Sequence, residues 1–242
     1  MKIRRCAACF VWIFASLAWA FVSEASPKAV SANAASANAA SANAASANAV
    51  SEKTLSAIAA QMEKHPVVVA DFIQTRKMAD VKRPLITKGK LVVSRQHGVL
   101  WKIEEPYRIR YFLGEDKIIE APAEGVRKER SAETLPGMAQ VGRIFRAMLG
   151  AQAKALEEHF HVEAQGDERQ WEIRLRPRQA GLAQFLSSMR ISGGQYVNFI
   201  QITEAGGDST DIRFEKSQGA KALGEPERAE FNALGITQQK EP

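Results

Sequence analysis

His159 and His161 stand two residues apart, with Glu157 and Glu163 beside them. On a strand that spacing puts both imidazoles on one face, which makes this the best metal-ligand candidate in the sequence. Two weakly placed ligands fall short of the four that a structural zinc takes, so no metal is expected. His97 reads as a solvated turn residue. Glu104–Glu105 and Glu157–Glu158 are sequence neighbours, and adjacent side chains of a strand point oppositely, which spoils either pair for acid–base work. Ser192-Gly193-Gly194 lacks nucleophile-elbow spacing, and the sequence holds no G-x-S-x-G, H-E-x-x-H, phosphate-binding loop or dinucleotide fingerprint. Neither enzyme activity nor a cofactor is expected.

What the chain offers instead is apolar surface. Residues 98–114 read GVLWKIEEPYRIRYFLG, two strands about a bend at Glu104-Glu105-Pro106. Val99, Trp101 and Ile103 alternate with Leu100, Lys102 and Glu104, and Tyr107, Ile109, Tyr111 and Leu113 alternate with Arg108, Arg110 and Phe112. One face is therefore continuously apolar, while the other is largely charged but keeps Leu100 and Phe112. Phe72, Leu91, Val93, Trp171, Ile173, Leu175, Tyr196 and Phe214 extend the apolar set. A filled sheet core and an acyl-chain cavity both fit such a face. For the cavity, each buried methylene is worth about 0.8 kcal/mol and no catalytic group is needed.

The N-terminus is read as export and spacing. Lys2, Arg4 and Arg5 precede an apolar run from Ala7 to Val22, a signal peptide cut after Ala20 or Ala25. Cys6 and Cys9 both lie within it, so the mature chain has no thiol chemistry. Removing Lys2, Arg4, Arg5 and Glu24 changes the formal net charge from +6 to +4, a modest value that suits weak attraction to anionic membranes. Lys and Arg interleaved with Asp and Glu make nucleic acid an unfavourable partner. Residues 26–50 carry the SANAA repeat, whose small side chains bury too little to offset chain entropy, so they form a spacer. The folded domain is expected over 51–235, followed by a frayed tail to 242.

Periodicity places a helix from Ser51 to about Lys64, strands at Val67–Thr75 and Thr87–Ser94, a polar link at Met78–Pro84, and a short strand at Lys117–Ala121. Met138, Val141, Ile144, Phe145, Met148 and Leu149 form the stripe of a second amphipathic helix, the expected lid. Strands follow around Phe160–Ala164, Trp171–Leu175, Tyr196–Thr203 and Thr210–Phe214, and a terminal helix at Pro226–Leu234. The expected fold is mainly β with α: an incomplete antiparallel β-barrel, a strongly curved sheet, with a helical lid.

At this point V-x-A-D-F-I-Q (Val68–Gln74), K-G-K-L-V-V-S (Lys88–Ser94) and G-V-L-W-K-I-E-E-P-Y (Gly98–Tyr107) resemble, in order and spacing, the LolA-like outer-membrane lipoprotein carriers of Gram-negative bacteria. Gly114-Glu115-Asp116 corresponds to the turn after the next strand, and the likeness runs over about Ser51–Phe214. It implies a monomeric periplasmic carrier, soluble after signal removal. Such a carrier receives an acylated lipoprotein or glycolipid from an inner-membrane transporter and delivers it to an outer-membrane acceptor. The alternative is a lipoprotein-binding or sensing domain that does not transport. Where the family has an arginine before the strand tryptophan, implied to pin the lid, this chain has Leu100, and beyond Phe214 it offers Pro226–Leu234 in place of a final strand.

Overall fold

The computed structural model describes residues 51–114, 117–131 and 156–236. The expected leader, spacer and lid lie outside the described residues, as does nearly all of the expected tail. The first element is helix α1, residues 51–63. Then come β1 (Val67–Met78), β2 (Val81–Ser94), β3 (Gly98–Glu105), β4 (Ile109–Leu113), β5 (Lys117–Pro122) and β6 (Lys128–Ser131). The second series is β7 (Phe160–Gly166), β8 (Trp171–Pro177), the one-turn α2 (Ala180–Ala183), β9 (Leu186–Gly193), β10 (Val197–Glu204), β11 (Ser209–Ala220) and α3 (Glu225–Ala233).

All eleven strands join one antiparallel sheet in the order β6-β5-β4-β3-β2-β1-β11-β10-β9-β8-β7. Each series is a run of neighbouring strands, and pairing of β1 with β11 welds the two. The expected barrel is not found. The sheet is open, neither closed nor strongly curled: among the described residues β6 and β7 are its two edges, each bonded to a single strand. Alternation decides which way a side chain faces, whereas closure needs the outermost strands to meet in register. All four residues of β6 are exposed, so that strand has no buried face to bring to such a junction.

The polar link expected over Met78–Pro84 is strand for most of its length, with the turn confined to residues 79–80. Its first residues pair only with β1, because pairing with β3 begins at Lys88 opposite Glu105. The free side of this stretch tolerates Pro84, which has no N–H to contribute to a second ladder.

Both faces of the sheet are covered. On one, Leu55, Ile58 and Met62 of α1 join the larger core cluster with Phe72, Trp101, Trp171 and Phe214. Polar latches hold α1 at the β7–β8 hairpin: the Ala164 N–H donates to Ser51 Oγ at 2.8 Å, and Gln61 Nε2 donates to the Glu168 carbonyl at 3.3 Å. On the other face, Leu100, Phe112 and Ile119 pack with Leu223, Phe231 and Leu234 of the α3 region. Phe231 meets Phe112 edge-on, with ring centroids 5.8 Å apart. Leu100 and Phe112, the two apolar residues on an otherwise charged face, are directly paired and serve as the floor for α3.

Candidate functional site

The α1 side of the sheet carries the candidate site, and the register lines its residues up in rows. Leu91, Trp101 and Tyr111 are successive partners across β2, β3 and β4, and Val93, Val99 and Leu113 form the next row. Phe214, Phe72 and Gly89 lie abreast on β11, β1 and β2, with Ile103 and Ile109 continuing the row. In the second series Ile173, Ile191, Ile200 and Ile212 run side by side across β8 to β11. Each such side chain withdrawn from water contributes about 1.5–3 kcal/mol.

Of the fifteen residues the sequence nominated for the apolar lining, fourteen fall in this one cluster. Twelve are buried, and Val93 and Tyr107 are half-buried against them. Tyr196 is the exception: its ring stacks obliquely on His65 at 5.1 Å, and its hydroxyl accepts the Gly219 N–H at 3.0 Å, outside the cluster. The lid residues Met138, Val141, Ile144, Phe145 and Met148 lie outside the described residues. Sequence reasoning left out of the site the helical cover Leu55, Ile58 and Met62, although their i, i+3/4 spacing marked that face. It also omitted Met189, Ile191, Ile200, Ile202 and Ile212, which two-residue alternation within their own strands would have marked.

Titratable groups on this face are few. Burial pushes the Tyr111 phenol well above its ordinary range, helped by Glu120 and Tyr107, so it stays neutral at any physiological pH. Among the described residues no group of three or more His, Cys, Asp or Glu is placed to hold an ion. His97 is half-buried rather than solvated, 5.6 Å from the Phe231 ring and 3.0 Å through Nδ1 from Ser94 Oγ, and burial lowers its pKa. Two open hollows, of about 520 and 540 Å³, are lined mainly by polar side chains such as Lys102, Arg108 and Glu230 in one and Gln165, Gln170 and Asn198 in the other. Neither suits an acyl chain.

Among the described residues, this side of the sheet is an apolar face lying under the helical cover of α1. The chain belongs to the LolA-like outer membrane lipoprotein carrier proteins, whose family model matches residues 30–212. Membership of a carrier family agrees with reading the chain as not an enzyme. Among solved structures, a LolA superfamily protein from Nitrosomonas europaea aligns over 73% of this chain and 96% of its own, at 7% identity and a TM-score of 0.42. A DUF1329 family protein from Desulfovibrio piger aligns over 78% and 99%, at 11% identity and a TM-score of 0.43. No curated protein matches the chain in sequence. Among the described residues no helix is long and apolar enough to cross a membrane.

Proposed function

We propose that this chain is a periplasmic carrier that shelters the acyl chains of a lipoprotein or lipid-linked molecule against the α1-side face of its sheet, between an inner-membrane donor and an outer-membrane acceptor. The observation that carries the reading is the broad apolar face around Phe72, Leu91, Trp101 and Tyr111 in a chain of this family. Because the sheet is open, the acyl chains would lie between sheet and helical cover, not inside a barrel. The helix expected over Met138–Leu149 is the proposed lid, and residues 26–50 the proposed tether.

Burial of acyl methylenes at about 0.8 kcal/mol each supplies the affinity, and release needs only a cover that swings away. The test is extraction of the purified exported protein, with mass spectrometry of the extract, alongside uptake of an apolar fluorophore. Neither bound lipid nor dye uptake would end the proposal. A transfer assay between donor and acceptor membranes separates a carrier from a protein that binds lipoprotein without moving it.

A further inference from the structure

The apolar face is interrupted at one place. The row running through Ile191, Ile200 and Ile212 reaches Gln74 on β1 and, opposite it, Thr87 on β2. In the next row Thr210 stands between Ile202 and Arg76. Gln74, Thr87 and Thr210 are only 5%, 2% and 1% exposed. Among the described residues, Gln74 Oε1, Thr87 Oγ1 and Thr210 Oγ1 meet no hydrogen-bond partner. A buried polar atom stripped of water and left unpaired weakens the fold, and native structures carry few of them. Three brought together on adjoining strands, with isoleucines beside them, point to a partner from outside the chain.

The neighbourhood also says what that partner is. Arg76 is already engaged by Glu204 at 2.8 Å and Asp208 at 3.0 Å, so its charge is spent and the cluster is left acidic. An anionic head would face those two carboxylates. The Gln74 oxygen only accepts, whereas each threonine hydroxyl both donates and accepts. A group that donates to Gln74, can donate to or accept from the threonines and carries no negative charge fits this seat. An amide does this, as does a hydroxyl; an alkane or a simple ester does not.

We propose that Gln74, Thr87 and Thr210 form a polar seat for the neutral, hydrogen-bonding head of the cargo, an amide- or hydroxyl-bearing linkage at the root of the acyl chains. The inference rests on the carrier reading above. One row further along the same face, Phe72 and Phe214 begin the apolar track, and Leu91 and Trp101 continue it. A molecule with a polar root and greasy tails would lie with its root at Gln74 and its tails toward Trp101.

The experiment loads the exported protein with an apolar fluorophore and displaces it with two probes of equal chain length, a primary fatty amide and a fatty acid methyl ester. The amide should displace at about tenfold lower concentration, the worth of one buried hydrogen bond. The shape-conserving double substitution Thr87→Val with Thr210→Val should bring the amide down to the ester, leave the ester unchanged, and raise the melting temperature of the empty protein. Should the double variant fail to fold, Thr210→Val alone and Gln74→Leu alone carry the same comparison. Equal displacement by both probes in the native chain, or a preference that survives the substitutions, overturns the seat and leaves the carrier intact. No uptake of the fluorophore overturns both.

Discussion

The rings of Phe72 on β1 and Trp101 on β3 meet across an intervening strand, their centroids 4.2 Å apart. The residue of β2 directly opposite Phe72 is Gly89, which has no side chain to stand in the way. Phe214 adds its ring edge-on to Trp101 from the far side, at 6.1 Å. Three aromatic rings from β11, β1 and β3 thus fuse the two strand series into one surface.

Gly89 should therefore resist replacement. A Cβ at this position would collide with the backbone carbonyl of Lys102 on β3, which cannot yield as a side chain can. Gly89→Ala is expected to cost about 1–3 kcal/mol, as forced overpacking does, and to weaken dye uptake. Chemical denaturation compared with the native chain measures it, and an unchanged midpoint would contradict the proximity described.

Trp101→Ala removes the centre of the aromatic group from a site with no exposure at all. The expected loss is about 3–5 kcal/mol of stability, with loss of fluorophore binding under conditions where the variant remains folded. Retained melting temperature together with retained dye uptake would place Trp101 outside both the core and the proposed acyl track.

On the opposite face, Lys102 and Arg110 are cross-strand partners, and both donate to Glu230 of α3, at 2.9 and 3.1 Å. Burial works to raise the Glu230 pKa, but the bonds from Lys102 and Arg110 outweigh it and hold the carboxyl below its ordinary value of 4.5. The unfolded chain then takes up its proton at higher pH than the folded one, so stability rises with pH in this window. The contribution is complete above the ordinary carboxylate range and fades as acid reaches the folded-state pKa. Glu230→Gln should lower the melting temperature at neutral pH and flatten its fall below about pH 4.5. Parallel acid-side melting curves for the two proteins would be evidence against the coupling.

Ser51 anchors the start of α1 by accepting the Ala164 N–H, a group that no neighbouring strand among the described residues claims, since β7 is an edge there. Ser51→Ala is expected to cost about 1 kcal/mol and to speed hydrogen exchange at the Ala164 amide. Exchange as slow as in the native chain would show that the helix is held by its apolar side alone.

Local pattern carried most of the strand assignments, though not the first half of β2 or β9, whose segments lack clean apolar alternation. Val99, Trp101 and Ile103 announced their shared face by spacing alone, and so did Trp171, Ile173 and Leu175. Leu100 and Phe112 seemed misplaced while a single covered face was considered; their partner Phe231 lies more than a hundred residues later, beyond the reach of any window. Leu100 looks toward α3 rather than toward α1, and its role is to receive that helix. The barrel failed for a related reason: whether β6 and β7 meet is written in neither strand. The polar interruption at Gln74, Thr87 and Thr210 was equally hidden, since each is unremarkable in its own segment and gains meaning only when β11, β1 and β2 lie abreast.

An open sheet has two rims, and a bare rim invites a foreign strand. Lys128, Glu129 and Arg130 line the β6 rim with charge, all of them in water. A second molecule stacking there in parallel register would bring like charges opposite one another, and strand-by-strand growth into fibres is opposed from the first step. The charge on that rim thereby guards an open sheet against its own edge.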